Sequence, residues 1–162
     1  MRKLMQKYLK NEKGLTLIEL LVVVVILGII AAIAVLSIGG ILDNSKKDAH
    51  VGNAKQMINA AKMAVTADPD TYTGTKYLSL NFLQKQGYLD DVADPDKTSG
   101  GYTTSADTAP TAEAPTGSYV VVTKTTTNNY TYSVKLINGT RGVKNTDGSP
   151  VEENIVKRDK VN

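Results

Sequence analysis

Few side chains in this 162-residue sequence belong to the types that commonly do chemistry. The chain has no cysteine and a single histidine, His50. Disulfides, thiolate metal sites and thiol nucleophiles are therefore excluded. A hydrolase needs a nucleophile, a base and oxyanion donors in one pocket, and the only bases on offer are His50 and ordinary carboxylates. Composition argues against an enzyme, and we expect no cofactor and no catalytic residue. Because His50 follows a polar run, we expect its side chain to be exposed.

Four aspartates crowd into one short segment, at Asp90, Asp91, Asp94 and Asp96. Loops rich in oxygen ligands can hold calcium. The order does not fit an EF-hand loop, because the expected glycine and the distal glutamate are missing at the required offsets. We therefore expect a solvated acidic loop without a metal, and calcium binding is the alternative.

The net charge of +3 is concentrated at one end of the chain. Residues 1–14 hold five basic side chains and one acidic side chain, which gives +4, while the other 148 residues hold 14 basic and 15 acidic ones, which gives −1. No basic surface remains outside the head of the chain that would release counterions from DNA or RNA. Nucleic acid is therefore not an expected partner.

Residues 20–42 form an uncharged apolar run of 23 residues. A helix of that length reaches roughly 35 Å at 1.5 Å per residue, and a bilayer core is about 30 Å thick. The run predicts a membrane-spanning helix; a buried helix of a soluble core is the alternative. The basic residues before it should hold the N-terminal side in the cytoplasm, which places residues 43–162 outside.

The junction between the basic head and the apolar run reads KGLTLIEL, residues 13–20. A secretory signal has a shorter apolar region followed by a cleavage site among small residues. Cleavage after Ala31 or Ala34 would fit that scheme and would release a soluble domain. The position of Gly14 before the apolar run instead suggests that a charged leader is removed and that the apolar helix is kept.

This segment, about residues 13–35, resembles the start of prepilins, the precursors of type IV pilins, competence pilins and type II secretion pseudopilins. The resemblance implies that a prepilin peptidase cuts between Gly14 and Leu15 and that the new amine of Leu15 is methylated. The usual residue at the position of Leu15 is phenylalanine, and leucine is an accepted variant. The mature chain would then have 148 residues.

Glu19 is a charged residue at the edge of the apolar run. It could snorkel to the membrane interface. After cleavage, however, the amine of Leu15 would lie four residues earlier on the same helix face. Burying either charge among apolar helices costs roughly several kcal/mol unless it is paired. We expect Glu19 to guide assembly by pairing with the amine of a neighbouring copy. The resemblance implies a role in assembly too, since the matching glutamate of pilins guides entry of the subunit into the filament.

Small residues punctuate the apolar run. Gly28, Ala31 and Ala32 would let the backbones of neighbouring helices approach closely. We therefore predict that they lie in helix-to-helix contacts.

The apolar run is followed by an amphipathic continuation of the helix, residues 43–67. Its apolar positions are spaced by three and four residues, which is typical of a helix. Asp68-Pro69 should end it. The stripe is formed by Val51, Ala54, Ile58, Ala61 and Val65.

Residues 68–116 read as a connecting loop region with one short helix. Ser79 is the expected N-cap of a helix over residues 80–86, and Gly87 is its expected stop. The residues from 97 to 117 are poor in large apolar side chains, and we expect a surface loop there.

Residues 117–162 carry the strand signals and a tail. Strands are predicted over residues 119–123 and 130–136, and the Asn138-Gly139 turn implies a third over about residues 140–144. In the tail, the spacing of Ser149 and Glu152 with Pro150 between them predicts a short helix through about Val156.

These patterns predict an α+β fold in which a long N-terminal helix packs on a small antiparallel sheet of three or four strands. Residues 1–14 would be a cleaved leader and residues 15–42 the transmembrane and filament-core helix. The resemblance implies a structural function: a major pilin of a type IV pilus that serves adhesion and motility. Expected partners are copies of itself in a helical filament, the prepilin peptidase, a platform protein with its ATPase, and the membrane before assembly. The alternatives are a competence pilin, a type II secretion pseudopilin and a membrane-anchored binding domain.

Overall fold

The computed structural model describes residues 16–126 and 129–162. It has the α+β layout, in which a long N-terminal helix is followed by a small antiparallel sheet. The chain divides into two compact units, one up to Leu42 and one from Asp43 to Asn162. The fold class predicted from the sequence is confirmed.

Helix α1 runs over Leu17–Ala67, a length of 51 residues. The amide of Asp68 still donates to the carbonyl of Ala64 at 3.2 Å. Pro69 follows, and its ring disfavours helical geometry for the residue before it. The predicted end of the helix near Ala67 is confirmed.

The part of α1 in the first unit exposes its apolar side chains on every side. Leu17 is 86% exposed, and the large apolar side chains described up to Leu42 are each about half exposed or more. Among the described residues this is the one helix long and apolar enough to cross a membrane. A helix that is apolar all round is stable only when lipid or other protein covers it.

The part of α1 in the second unit buries one face in the core. The predicted apolar stripe is confirmed, since Val51 is half-buried and its other four members are buried. Met57 and Ala64, which lie seven residues apart, widen the same face. Side chains at such spacings lie above one another on a helix, so the face is continuous.

The sheet has five antiparallel strands in two sizes. The three longer ones are β1 (Thr75–Ser79), β2 (Tyr119–Thr126) and β3 (Asn129–Ile137). The two short ones are β4 (Gly142–Val143) and β5 (Val151–Glu152). The order is β1-β2-β3-β4, and β5 also pairs with β3, farther from the β3–β4 turn than β4 does.

The inner face of the sheet completes the core. Leu78 of β1, Val120 and Val122 of β2, and Val134 and Leu136 of β3 are all buried in one cluster with the buried face of α1. Alternate residues of a strand point to opposite faces, which explains this spacing of two. The alternation predicted for the second strand signal, residues 130–136, is confirmed at Val134 and Leu136.

Strand β1 lies in the region that we predicted to be a connecting loop with only a short helix. Its five residues carry only two large apolar side chains, Tyr77 and Leu78, so the local pattern is weak. The strand forms because Leu78 is fully buried and pairs with Val120 on β2. Helix α2 (Leu80–Lys85) follows it directly.

The predicted caps of α2 are confirmed at its N-terminus and at its stop. The Ser79 hydroxyl accepts a hydrogen bond from the Phe82 amide at 3.0 Å. Gly87 has a φ of +74°, a left-handed conformation that favours glycine and ends the helix. The amides of Tyr88 and Leu89 both donate to the Leu83 carbonyl.

The short helix predicted for the tail is wrong. Strand β5 pairs with β3 there, and two 3₁₀ turns follow, over Glu153–Ile155 and Arg158–Lys160. The Val151 side chain is fully buried, and its burial on the sheet prevails over the local capping signal. The Ser149 hydroxyl donates to Asp147 at 2.7 Å and caps no helix.

Other segments cover part of each of two sheet edges, those of β1 and β4. On β1, Tyr77 and Thr111 exchange two backbone hydrogen bonds of 2.9 Å. On β4, Gly142 and Asn162 exchange two more, of 2.9 and 3.0 Å, and the Lys144 amide donates to the Lys160 carbonyl at 3.1 Å. Where they are covered, these edges offer no free backbone groups to another strand.

Candidate functional site

The start of α1 is built around a reciprocal pair, Thr16 and Glu19. The Thr16 amide and hydroxyl both donate to Glu19 Oε2, at 2.7 and 2.6 Å, and the Glu19 amide donates to the Thr16 hydroxyl at 3.3 Å. This is a capping box, in which two side chains satisfy free backbone N–H groups of the first turn. Gly14 and Leu15, the predicted cleavage and methylation residues, lie outside the described residues.

The capping box gives Glu19 a structural role that the sequence analysis did not assign. The T-x-x-E spacing of a capping box is present in the sequence and was the signal for it. Both side chains are exposed. The Glu19 carboxylate is therefore held at the outside of the first turn, where a second donor from another chain can reach it.

The predicted packing residues lie along one face of the exposed part of α1. Ala31 and Ala32 lie three and four residues after Gly28, about one helical turn along, and all three residues are exposed. A Cβ added to Gly28 would have no heavy atom within 4 Å.

A second group of interacting side chains lies in the second unit, on three segments far apart in sequence. Asp43, Lys46 and His50 come from α1, Asp96 comes from the loop after α2, and Arg141 comes from the β3–β4 turn. We call these five side chains the polar clasp. Asp96 lies at its centre, with its side chain 8% exposed.

Arg141 joins the other two segments of the polar clasp. Its Nε and Nη2 donate to the two oxygens of Asp96 at 2.8 and 2.7 Å, a bidentate pair. Its Nη1 donates to Asp43 Oδ1 at 2.6 Å. Lys46 adds a longer ion pair to Asp96 at 3.6 Å. One guanidinium therefore bridges α1 and the loop.

His50 is fully buried, so its predicted exposure is wrong. Its Nε2 lies 2.9 Å from Asp96 Oδ2, and its Nδ1 lies 2.8 Å from the Tyr102 hydroxyl. A carboxylate only accepts, so we assign the ring proton to Nε2. Nδ1 then accepts from Tyr102, whose hydroxyl accepts from the Asn53 amide group at 2.9 Å. The ring is thus fully hydrogen-bonded and serves the structure.

The acidic loop is only partly solvated, which corrects the prediction for its second half. Asp90 and Asp91 are exposed, while Asp94 and Asp96 are partly buried. Asp94 accepts from the amide and the hydroxyl of Thr98 and, at 2.8 Å, from the Asn138 side chain. These two aspartates organise the loop and hold it against the β3–β4 turn.

Asn138 fixes the conformation of that turn. Its side-chain oxygen accepts from the amides of Thr140 and Arg141 at 2.8 and 2.7 Å. Its backbone amide donates to the Arg141 carbonyl at 2.9 Å, so the two central residues of the turn are Gly139 and Thr140. The turn is one residue later than the Asn138-Gly139 signal predicted, and β4 is shorter than the predicted third strand.

The acidic loop does not fit the calcium alternative. His50, Asp94 and Asp96 bring possible ligand atoms within 4.8 Å of one another. Calcium takes six to eight oxygen ligands. Asp96 instead faces the cationic or donor groups of Arg141, Lys46, His50 and Asn138, which would repel a cation or compete with it.

The charged groups of the polar clasp strongly shift one another's pKa values. Hydrogen bonds from Arg141 hold the pKa of Asp96 far below its usual value, although burial opposes the shift. The same contacts raise the pKa of Arg141. The pKa of Asp43 is lowered by Arg141 first and by Lys47 second. Burial raises the pKa of Tyr102 to about 12, so its hydroxyl stays protonated at neutral pH.

Some residues of the polar clasp could have been predicted from the sequence and others could not. His50 lies four residues before Ala54 and is in phase with the apolar stripe, so its burial was predictable. Arg141 is 45 residues from Asp96 and 98 from Asp43, and no local pattern connects them.

Comparison with known proteins gives a match on the N-terminal segment. Residues 9–35 match the family model described as the prokaryotic N-terminal methylation motif. No curated protein and no solved structure matches the chain significantly. The matched segment includes the predicted cleavage junction, Glu19 and the predicted packing residues, and it ends inside the apolar run.

Proposed function

We propose, from the premise that this chain carries a type IV pilin-like prepilin signal, that it is the major structural subunit of a type IV pilus. The signal and the apolar helix fit a membrane-anchored precursor that later becomes part of an extracellular filament. The prepilin peptidase would cut between Gly14 and Leu15, and Leu15 would be methylated. The pilus would serve adhesion and motility.

The observation that carries this proposal is the exposure of the apolar part of α1 directly behind the processing motif. From Leu17 to Leu42 the described large apolar side chains are exposed around the whole helix. Surface of this kind and size marks a membrane or protein contact. Lipid covers it before assembly, and sister helices would cover it in a filament.

Glu19 would direct this exchange from lipid to protein. Its carboxylate accepts two hydrogen bonds from Thr16 in the isolated chain. A carboxylate has about four lone-pair sites, so it can also accept from the amine of an incoming copy. The apolar surroundings would strengthen that ion pair, because leaving either charge unpaired there is costly. Gly28, Ala31 and Ala32 would let the docked helices pack closely.

The decisive experiment is mass and N-terminal analysis of protein sheared from the cell surface. We expect a chain that starts at methylated Leu15 and lacks the first 14 residues. A Gly14→Val variant should keep its leader and stay in the cell, because a β-branched residue crowds the scissile bond. Asn11→Ala, a change inside the leader, is the control. Surface protein that retains residues 1–14 contradicts the proposal.

Electron microscopy of the same cells separates the major pilin from its relatives. Long filaments that label with an antibody to residues 43–162 support the major pilin. A periplasm-confined short rod would indicate a secretion pseudopilin. DNA binding by the purified chain would indicate a competence pilin, which the net charge of −1 outside the leader does not favour.

A further inference from the structure

The first two turns of α1 in the second unit are held on the domain by polar groups. Residues 43–50 contain no large apolar side chain. Their described contacts with the rest of this unit are the Asp43–Arg141 pair, the bonds of Lys46 and His50 to Asp96, and the Asp48–Arg158 pair. The His50 ring also accepts a hydrogen bond from the Tyr102 hydroxyl at 2.8 Å and packs edge-on against the Tyr102 ring. Burial of apolar side chains begins only with Val51 and Ala54.

The next turns of the same helix are held by a different force. Between residues 54 and 65, seven apolar side chains are buried in the core. Apolar burial is non-directional and tolerates small shifts of the helix. A bidentate guanidinium–carboxylate pair depends on fixed distances and angles, so a shift of about 1 Å removes it. The two parts of the helix should therefore come loose separately.

Arg141 makes the polar contacts depend on one another. It binds Asp96 and Asp43 at once, and Asp96 in turn binds Lys46 and His50. Without Arg141, the nearly buried Asp96 would lose its bidentate partner. It would keep only Lys46 and His50 as partners on α1. The neighbouring Asp48–Arg158 pair is about half exposed on both sides and should contribute little.

We propose that the polar clasp is a releasable joint, which holds residues 43–50 of α1 on the domain and lets them come away while residues 54–65 stay in the core. Release breaks ion pairs and hydrogen bonds, whose groups water can solvate once they separate, and its one ring contact is that of His50 with Tyr102 among the described residues. To close the joint again, Arg141 must re-form its ion pairs with both Asp43 and Asp96. The joint thus has two discrete states.

In a filament subunit, the joint would be the first part of the domain to receive a pull along α1, because residue 43 directly follows the apolar run. This consequence rests on the proposed function; the two-state joint itself does not. Release would lengthen the link between the apolar helix and the domain without unfolding the core. A filament could then stretch reversibly.

Amide hydrogen exchange of the full-length chain in detergent micelles tests the joint. In Arg141→Gln we expect exchange of residues 43–50 to accelerate about tenfold or more, with residues 54–65 unchanged. Arg158→Gln, which removes the other arginine partner of this helix, is the matched control and should change exchange by less than about threefold. Equal exchange of residues 43–50 in wild type and Arg141→Gln would overturn the proposal.

Two milder variants cover the case in which Arg141→Gln loses the protection of residues 54–65 as well. Arg141→Lys keeps the charge but loses the bidentate fork, and Asp43→Asn weakens only the exposed arm. Acceleration confined to residues 43–50 in these variants supports the joint. Acceleration spread equally over residues 43–65, or none, refutes it.

Shearing of filaments at a fixed rate separates the joint from the proposed function. The measured quantity is the shear rate at which the filaments become shorter. For Arg141→Lys filaments this rate should differ from that of wild-type and Arg158→Gln filaments, because the Arg141→Lys joints open at lower force. If wild-type cells make no filaments, the proposed function is wrong while the exchange result still decides the joint.

Discussion

At the scale of single residues, Gly142 is the glycine of the described domain with the least room for a side chain. A Cβ built there would lie 2.2 Å from the Leu136 carbonyl oxygen and 2.6 Å from the Ile137 Cα. Both contacts are with backbone of the neighbouring strand, which cannot move aside as a flexible side chain could. Gly142 is therefore required for the close approach of β4 to β3.

We expect Gly142→Ala to lower the free energy of unfolding by about 1–3 kcal/mol, the usual cost of forcing extra volume into a packed site. The matched control is Gly139→Ala in the same turn, since a Cβ there has no heavy atom within 4 Å. Thermal unfolding of the full-length chain in detergent measures both. Equal melting temperatures for the two variants would show that β4 can shift away.

Asp96 gives a prediction for both stability and its pH dependence. At pH 7, Asp96→Asn should cost about 3 kcal/mol, because it leaves Arg141 without its main partner. The folded pKa of Asp96 lies below its ordinary value, so its contribution to stability is complete above about pH 4. That contribution is lost as the pH falls through the folded pKa.

Unfolding measured from pH 7 down to pH 2 checks this sign. The wild-type chain should lose stability steeply below about pH 4, and Asp96→Asn should follow a shallower course, so the two curves converge in acid. Asp90→Asn, an exposed aspartate of the same loop, should behave as wild type. Parallel curves for wild type and Asp96→Asn would mean that Asp96 is not the residue that titrates.

The polar clasp also shows where reasoning from the sequence ends. His50 could have been placed in the core, since it continues the helical phase of Ala54 and Ile58. The pairing of Arg141 with Asp96 and Asp43 could not, because it depends on how the loop, the turn and α1 meet after folding. Only local periodicity and capping leave a readable pattern; long-range ion pairs do not.

At the scale of elements, α2 depends on its N-cap. The Ser79 hydroxyl accepts from the Phe82 amide and donates to the Asp107 carbonyl at 2.9 Å. Ser79→Ala removes both hydrogen bonds and should lower the free energy of unfolding by about 1–2 kcal/mol. Ser99→Ala in the exposed loop is the control. Chemical denaturation measures the difference, and a change below 0.5 kcal/mol, roughly the level of a surface substitution, would rule out the cap as a determinant.

The elements divide according to how much of their stability is local. Helix α1 and the cap of α2 follow from apolar spacing, Pro69 and Ser79, so they were predictable. Strand β1 and strand β5 form because Leu78 and Val151 are buried on the sheet, against weak or contrary local signals. Pairing partners that are distant in sequence decide such strands, and the local pattern does not contain them.

At the scale of the whole molecule, assembly should depend on Glu19. If its carboxylate pairs with the amine of an incoming copy, Glu19→Ala should reduce filament yield by at least about tenfold, since an unpaired charge in apolar surroundings costs more than 1.4 kcal/mol. Glu113→Ala, an exposed glutamate of the domain, should leave the yield unchanged. Sheared protein per cell measures the yield.

The filament yields of two variants, Thr16→Ala and Glu19→Ala, separate a docking role of Glu19 from its role in the capping box. Thr16→Ala removes a partner of Glu19 within the helix but keeps the carboxylate, so filaments should still form at a reduced yield. Normal yield in Glu19→Ala would reject ion-pair docking. Equal loss in Thr16→Ala and Glu19→Ala would point to the helix start itself as the requirement.

In the proposed filament, the segments that cover parts of the sheet edges would limit how fibres adhere to one another. Tyr77 already exchanges bonds with Thr111, and Gly142 does so with Asn162. Strand-to-strand zippering of the amyloid type needs a long free row of amides and carbonyls. Bundles of these fibres would therefore form through side chains and would come apart in salt or mild detergent rather than fuse irreversibly.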